Sequence, residues 1–177
     1  ASGTALLICD GSYKPKSSDT KGAAAWIIRC TQCKRQAIGA LQSPGADANA
    51  YRSELTGLYA VLAFTKAVCD VLGITTGRLT LGCDNITGLS KAGSTVTRVP
   101  SRVKHADIIR AIRNVRSELP ITVDILHVYG HQDDQTSFED LSEEAQMNTI
   151  CDDYAKRHLD WTISADSPQT QMLPHEN

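Results

Sequence analysis

The feature that most limits the possible folds is a long amphipathic helix predicted between two groups of strands. From Tyr51 to about Gly73, apolar side chains recur at intervals of three and four residues, as they do on one face of a helix. A helix between two strands allows those strands to pair in parallel through a right-handed crossover. The pattern therefore predicts an α/β fold.

Short apolar segments before and after this helix predict five strands. The first three lie close together with turn residues between them, which favours an antiparallel meander. Two shorter helices are predicted between the fourth and fifth strands, and a last helix from about Glu143 to Trp161. The predicted strands are residues 5–12, 23–30, 36–41, 78–83 and 121–128. The order β-β-β-α-β-α-α-β-α predicts a mixed five-stranded sheet with helices on both faces.

Length and composition fit one domain. The chain has 177 residues, of which 41% are hydrophobic and 21% charged, and this is enough for a sizeable core. No apolar run approaches the roughly 20 residues that a membrane span needs, and no signal-peptide pattern is present, so we expect no membrane partner. We expect residues 1–163 to form the domain and residues 164–177, which lack periodicity, to form a flexible tail. A start at Ala1 fits a processed chain or a piece of a longer polypeptide.

Charge is unevenly distributed along the chain, although the net charge is only −2. Residues 133–144 hold six acids and no base. Residues 98–116 hold one acid, Asp107, and these six bases: Arg98, Arg102, Lys104, Arg110, Arg113 and Arg116. Such segregation favours one basic face, although a solvated helix surface explains a charge cluster equally well.

Six cysteines raise the question of zinc or disulfides. Cys30 and Cys33 form a C-x-x-C motif, but no second pair follows at the spacing of a zinc ribbon, so we expect no structural zinc. Reduced thiols in an intracellular protein are the better interpretation. Cys9 and Cys83 each precede an aspartate at a strand end. Alternation along a strand therefore predicts that both point away from those aspartates, as small core residues under a helix.

Four carboxylates are predicted at positions where they can meet. Asp10 ends the first strand and Asp84 the fourth, and parallel strands bring such ends to one edge of the sheet. Glu54 is predicted in the first turn of the long helix, where the dipole favours an anion, and Asp152 lies within the last helix. Each acid alone is explained equally well as a turn, cap or surface residue. Together they could not all ionise without cations, and hard oxygen ligands favour Mg²⁺ or Mn²⁺.

Five short motifs, taken in order, resemble ribonuclease H. They are CDGS around Asp10, RSEL around Glu54, LGCDN around Asp84, GHQ around His131 and NTICDDYAK around Asp152. The resemblance covers about residues 5–160 and implies the ribonuclease H-like fold. The spacing of one helical turn from Asn148 selects Asp152 over Asp153 as the fourth acid. The long connection after His131 is more similar to ribonuclease H domains attached to retroelement reverse transcriptases than to the compact bacterial enzymes.

The resemblance implies an endonuclease that hydrolyses the RNA strand of RNA–DNA hybrids and leaves 5′-phosphate and 3′-hydroxyl ends. It implies two Mg²⁺ ions, with Mn²⁺ able to substitute, and Asp10 bridging both ions. The remaining ligands would be Glu54, Asp84 and Asp152, and His131 would relay protons or help to release product. The implied partners are the hybrid duplex and, in a larger reverse transcriptase polypeptide, its other domains. We expect the isolated domain to be a monomer of the cytoplasm or nucleus.

A further set of residues is predicted to contact nucleic acid. These residues are Gly11, Ser12, Arg52, Asn85, Arg98, Arg102 and Lys104. Gly11 would let the backbone approach the RNA minor groove, where 2′-hydroxyl groups distinguish RNA from DNA. The basic loop at 98–104 would substitute for a basic helix that some relatives carry. Ala50 and Tyr51 depart from two asparagines of the bacterial enzymes, and Asn85 and Ile86 from Ser-Gln. Tyr51 suits either stacking on a sugar or base or covering the core.

Two alternatives remain open. A catalytically silent hybrid-binding or structural domain of a reverse transcriptase would have the same fold, although the four intact acids and His131 argue against it. A DDE-type transposase or integrase core shares the sheet, but it carries a glutamate on the last helix and needs no acid at Glu54.

Overall fold

The computed structural model describes residues 4–15, 21–43, 47–94 and 98–164. Within them, strands and helices follow the predicted order. The strands are β1 (Thr4–Lys14), β2 (Lys21–Cys30), β3 (Gln36–Gln42), β4 (Arg78–Cys83) and β5 (Thr122–His127). The helices are α1 (Ala50–Leu72), α2 (Ile86–Gly93), α3 (Ala106–Glu118) and α4 (Glu143–Ser164), with short 3-10 turns at Gln132–Asp134 and Phe138–Asp140.

The five strands form one mixed sheet in the order β3-β2-β1-β4-β5. β1 pairs with β2 and β2 with β3 in antiparallel register, whereas β1 pairs with β4 and β4 with β5 in parallel. α1 connects the meander to β4, so β1 and β4 become neighbours through the predicted crossover. The predicted fold is confirmed.

Alternate residues of β1 build two hydrophobic cores on opposite faces of the sheet. Leu7 and Cys9 pack on one face against α1 and α3, whereas Leu6 and Ile8 pack on the other face against α4. This follows from the two-residue period of a strand, and β1 is buried because both of its faces are covered. The α1 face includes Leu55, Leu58, Leu62, Ile108 and Ile112, and the α4 face includes Met147, Cys151 and Ala155.

α1 is the central helix, and both of its ends are capped. The Asn49 side chain accepts a hydrogen bond from the Arg52 N–H at the start, and Gly73 takes a left-handed conformation (φ 62°) at the end. Among the described residues, α1 alone is long and apolar enough to cross a membrane by length and composition. Ten of its residues are buried, as in the core helix of a folded domain.

α4 continues to Ser164, three residues beyond the predicted end at Trp161. Tertiary packing holds this last turn, because Thr162 is only 1% exposed and its carbonyl accepts a hydrogen bond from Lys21 Nζ at 3.4 Å. Ser164 therefore belongs to the helix rather than to the predicted tail. The rest of that tail, 165–177, lies outside the described residues.

Candidate active site

Asp10 and Asp84 lie at the same edge of the sheet. β1 and β4 run parallel, and Ile8 and Gly82 are the last paired residues in their register. Each aspartate follows two residues later, so both carboxylates come to the carboxyl ends of neighbouring parallel strands. Asp10 is only 5% exposed, and the Gly11 N–H donates to its Oδ1 at 2.6 Å. The predicted pairing of the first and fourth strands is therefore confirmed.

Glu54 approaches this edge from α1. Its predicted place in the first helical turn is wrong, because α1 begins at Ala50 and has no acid in its first turn. The helix dipole therefore contributes little to Glu54, since its effect is confined to the first turn. Close packing positions the residue instead. A Cβ atom added to Gly11 would lie 2.4 Å from the Glu54 backbone nitrogen, so β1 and this turn of α1 are in direct contact.

Burial and mutual repulsion favour the neutral form of two of these carboxyl groups. Burial, together with the charges of Asp84 and Asp152, raises the pKa of Asp10 to about 8. Burial, followed by the charges of Cys83, Asp10 and Asp84, raises the pKa of Glu54 well above its ordinary value. A bound cation would act in the opposite direction by stabilising the carboxylates. The site without a cation therefore holds protons near neutral pH.

Cys83 lies within the carboxylate cluster, which the sequence did not predict. Its Sγ is 3.5 Å from Glu54 Oε2 and 3.7 Å from Asp84 Oδ1. The expectation that Cys83 points away from the site is wrong, because Glu54 comes from α1, on the face towards which Cys83 points. Cys9 follows the prediction: it is fully buried beneath α1, where a Cβ atom at Gly57 would lie 3.1 Å from the Cys9 Cβ.

Asp152 lies on α4 and reaches the cluster through its charge. It forms an ion pair with Lys156 Nζ at 2.5 Å, and its charge contributes to the raised pKa of Asp10. One helical turn earlier, Asn148 is 4% exposed, and its Oδ1 has no hydrogen-bond partner among the described residues. α4 therefore brings an acid and an unpaired amide oxygen to the same helical face.

His131 lies on the loop after β5 that touches Asp84. A Cβ atom at Gly130 would be 2.7 Å from Asp84 Oδ2, so the loop backbone passes directly over that carboxylate. His131 follows with left-handed backbone (φ 53°) and an exposed side chain, at the start of the turn Gln132–Asp134. The predicted placement of an accessible histidine next to the acids therefore has structural support.

Two residues beside Asp84 were missed by sequence reasoning. His127 Nε2 is 2.9 Å from the Asp84 carbonyl oxygen, which can only accept, so Nε2 carries the proton. The His127 ring packs edge-to-face on Tyr129 with centroids 4.9 Å apart, and Tyr129 is 71% exposed. The predicted fifth strand contains His127 and ends one residue before Tyr129, but only the register that pairs Cys83 with His127 brings this end of β5 to the site.

Three residues near the ends of β1 and β4 were predicted to contact nucleic acid: Gly11, Ser12 and Asn85. A side chain at Gly11 would collide with α1. The packing therefore explains this glycine by its contact with α1, and not by the predicted approach to the RNA minor groove. Ser12, in the next position, is partly exposed. Asn85 caps α2, with its Oδ1 accepting from the Gly88 N–H at 2.8 Å.

Arg52 is buried rather than presented to solvent. It is 3% exposed, and its guanidinium makes two hydrogen bonds with Asp107, at 3.1 and 2.5 Å. It also pairs with Asp47 at 3.5 Å. Arg52 therefore ties the start of α1 to the start of α3. Tyr51 is partly buried against the α1 core and lies 5.8 Å from the His105 ring, centroid to centroid.

Three of the six clustered bases serve the fold, and three face solvent. Arg110 donates to the Val99 carbonyl at 2.8 Å, and Arg113 and Arg116 donate to carbonyl groups of α2 at 3.1 Å or less. The exposed bases are Arg98, Arg102 and Lys104. The basic surface is therefore the loop before α3 rather than the helix itself.

The donor set fits a divalent cation. One ligand atom from each of Glu54, Cys83 and Asp84 lies within 4.8 Å of the other two. The two carboxylates supply oxygen ligands, which suit Mg²⁺ or Mn²⁺, whereas the Cys83 sulfur is a soft ligand that these ions do not prefer. Asp10 and Asp152 are outside this compact set and act on it by charge. Burial, together with the charges of Asp84 and Asp152, raises the pKa of Asp10, and a bound cation would favour its carboxylate form.

Comparison with solved structures shows the ribonuclease H fold. The ribonuclease H domain of PFV shares 13% identity and a TM-score of 0.68, over 91% of this chain and 97% of that chain. RNase H1 from the archaeon Halobacterium salinarum shares 16% identity and a TM-score of 0.60, over 89% and 98%. LC11-RNase H1, solved in complex with an RNA/DNA hybrid, shares 9% identity and a TM-score of 0.62, over 90% and 99%.

The chain also matches part of a larger protein. It shares 19% identity and a TM-score of 0.59 with the protease-reverse transcriptase of prototype foamy virus, over 88% of this chain and 20% of that chain. By sequence, no protein-family profile and no curated protein matches the chain.

Proposed function

We propose that the chain is an endoribonuclease that hydrolyses the RNA strand of RNA–DNA hybrids, leaving 5′-phosphate and 3′-hydroxyl ends. The observation that carries the proposal is the convergence of Asp10, Glu54 and Asp84 at one sheet edge, with Asp152 adding its charge from α4. Such a surplus of buried acids is costly unless cations bind there. The ribonuclease H fold, and a similar structure solved with an RNA/DNA hybrid, support this substrate class.

The four acids would hold two Mg²⁺ ions, with Mn²⁺ able to substitute. Bound there, two divalent cations supply an activated water and stabilise the departing 3′ oxygen. Close packing at Gly11 positions Glu54, and the His127 hydrogen bond to the Asp84 carbonyl holds the end of β4. These contacts fix the carboxylates before substrate arrives, so little reorganisation is needed during the reaction.

His131 would exchange protons with solvent. Its side chain is exposed, and it sits one residue after the backbone that passes over the Asp84 carboxylate. An imidazole ring can both accept and donate a proton, so it suits a proton relay or a step in product release. It need not bind a cation for either role.

Contacts to the hybrid would come from the exposed bases Arg98, Arg102 and Lys104, and from groups beside the site. Ser12 and Asn85 lie next to Asp10 and Asp84 and have polar side chains. Tyr129 offers an exposed aromatic face for a sugar or base. Contacts of this kind go to backbone and sugar, so we expect little sequence preference. Arg52 and Gly11 would act indirectly, by holding the start of α1.

We also propose that the domain, which includes α4 to its end at Ser164, acts inside the cell as part of a reverse transcriptase of a retroelement. The support is the match to a segment of a viral reverse transcriptase. As an isolated domain it would be a monomer. The second candidate is a silent hybrid-binding domain of the same fold.

Cleavage of labelled duplexes in the presence of Mg²⁺ tests the proposal. RNA–DNA, RNA–RNA and DNA–DNA duplexes of one sequence are compared, with Asp10→Asn as the inactive control. We expect internal cuts in the RNA of the hybrid alone, and none from Asp10→Asn. Hybrid binding without cleavage would favour the silent domain, and equal cutting of DNA–DNA would exclude the proposed specificity.

A further inference from the structure

The C-x-x-C segment takes no part in the proposed active site and forms the turn between β2 and β3. The Cys30 N–H donates to the Arg35 carbonyl at 2.9 Å, and the Lys34 N–H donates to the Cys30 carbonyl at 3.1 Å. Lys34 closes this turn in a left-handed conformation (φ 58°). A turn closed from the first to the fifth residue resembles one turn of helix, in which the first and fourth residues lie on the same side. Cys30 and Cys33 occupy those positions.

The surroundings of the Cys30 sulfur favour a thiolate. The Cys33 backbone nitrogen lies 3.5 Å from Cys30 Sγ and donates to it. The backbone N–H groups of Cys33 and Gln32, the Cys33 thiol and the Lys34 charge together lower the pKa of Cys30. Neighbouring amides and a nearby base are the features that activate one cysteine of a C-x-x-C pair.

Accessibility separates this pair from the other cysteines. Cys33 is exposed and Cys30 partly exposed, whereas the remaining four are buried: Cys9, Cys69, Cys83 and Cys151. Burial is the main cause that raises the pKa of Cys69 and Cys151. Buried neutral thiols react slowly, so the turn holds the reactive sulfur of the described residues.

We propose that Cys30 and Cys33 form a redox-active dithiol that small-molecule disulfides oxidise to an intramolecular disulfide. The Cys30 thiolate attacks one sulfur of a disulfide RSSR, forming a mixed disulfide and releasing RS⁻, which takes up a proton. The Cys33 thiolate then attacks the Cys30 sulfur and releases the second RS⁻. In total the pair loses two protons and two electrons, and RSSR becomes two RSH.

A metal site is not supported at this turn. Structural zinc needs four ligands. Within the described ranges, Glu54, Cys83 and Asp84 are the only three metal-ligating side chains that gather within ligand distance of one another. Among the described residues, therefore, no third ligand accompanies Cys30 and Cys33.

The test is exposure of the fully reduced, folded chain to glutathione disulfide at neutral pH, followed by mass spectrometry and peptide mapping. We expect the loss of two hydrogens, a disulfide between Cys30 and Cys33, and no lasting glutathione adduct. Cys33→Ser should retain glutathione on Cys30, because no resolving thiol remains. Cys30→Ser should take up glutathione on Cys33 several-fold more slowly. Cys69→Ala is the matched control and should oxidise like the wild type.

A second measurement separates reactivity from simple exposure. The rate of alkylation of Cys30 in Cys33→Ser, followed against pH, should have its midpoint below that of free cysteine. Far-UV circular dichroism checks that the serine variants, which change an exposed turn, remain folded. Equal reaction rates of Cys33→Ser and Cys30→Ser would overturn the proposal. A wild-type glutathione adduct that persists, or a disulfide mapped to Cys9 and Cys83, would also overturn it.

Discussion

Gly11 of β1 lies directly beneath Glu54 of α1, so close that a Cβ atom at Gly11 would stand 2.4 Å from the Glu54 backbone nitrogen. This contact joins the strand that carries Asp10 to the helix that carries Glu54. The spacing of the two acids therefore depends on a residue that has no side chain, and several consequences can be measured.

Gly11→Ala should push α1 away from β1. Overpacking of this kind costs about 1–3 kcal/mol, and the displaced Glu54 should also lower hybrid cleavage. Thermal unfolding and cleavage rate are measured together. Gly93→Ala is the matched control, because a Cβ atom there would meet Ile125 at 3.4 Å, an ordinary contact. A Gly11→Ala protein equal to wild type in both measurements would contradict the packing argument.

Asp10→Asn should abolish cleavage and stabilise the protein in the absence of divalent cations at alkaline pH. The folded pKa of Asp10 is raised to about 8, above the unfolded value of about 4. Its contribution to stability is therefore complete below about pH 4 and is lost as the pH rises through about 8. Melting temperature is followed from pH 5 to 9 in chelator, where the wild type should fall more steeply than the variant.

Added Mg²⁺ should raise the melting temperature of the wild type, since it would bind the folded site and not the unfolded chain. The rise should be much smaller for Asp10→Asn. Asp153→Asn is the matched control, because this partly exposed acid pairs with Arg157 at 2.8 Å and takes no part in the carboxylate cluster. Equal Mg²⁺ responses in all three proteins would speak against cation binding at Asp10.

His105 should make the protein less stable at acidic pH. The Asn49 Oδ1 accepts the Arg52 N–H at 3.0 Å, so its Nδ2 faces His105 Nε2 at 3.0 Å and requires an unprotonated acceptor there. His105 Nδ1 then carries the proton and donates to Asp47 at 2.9 Å. Burial lowers the pKa of His105.

The stability that neutral His105 contributes is complete above its unfolded pKa of about 6.5 and is lost as the pH falls below that value towards the folded pKa. His105→Asn, which tolerates the left-handed backbone (φ 59°) at this position, should remove this pH dependence. Melting temperature between pH 7 and 5 is compared with wild type. The contribution of Asp10 changes with pH in the opposite direction, but it is the same in both proteins and so cancels when their melting temperatures are compared. Parallel melting curves would count against a neutral, buried His105.

The exposed bases Arg98, Arg102 and Lys104 should control the salt dependence of hybrid binding. Changing all three to alanine removes up to three phosphate contacts, so the slope of log K against log salt should fall by roughly two to three. The control changes Lys66, Arg78 and Arg157, which lie elsewhere and pair with acids. Binding is measured in the Asp10→Asn background to prevent cleavage. Equal slopes in both triple variants would make the loop an ordinary solvated surface.

His131→Ala should slow turnover without weakening the Mg²⁺ response. A proton relay contributes about 10²–10⁴-fold, and an exposed loop histidine adds little to stability. Single-turnover and steady-state rates with the hybrid are compared, together with the Mg²⁺-dependent melting shift. Loss of that shift in His131→Ala would instead identify the histidine as a ligand.

Local patterns in the sequence were enough to predict the element order and to single out four acids as candidates. The period of three and four residues in α1 and the short apolar strands are properties of neighbouring residues, so they can be recognised without a structure. The place of Asp10 and Asp84 also followed, because parallel strands joined by a crossover end at the same edge. The one-turn spacing from Asn148 to Asp152 is likewise local.

The surroundings of those acids were decided by tertiary packing alone. Cys83 entered the cluster because α1 lies on the face towards which that thiol points. Arg52 became buried because α3 brings Asp107 against the start of α1. Burial, together with the charges of Asp84 and Asp152, raises the pKa of Asp10 to about 8, and these neighbours are remote from Asp10 in the chain. Sequence periodicity tells which side of an element is apolar, whereas the distance between two side chains from separate elements depends on how closely their backbones approach. That approach is set by residues remote in the chain, such as Gly11 and Glu54, whose contact no local pattern records.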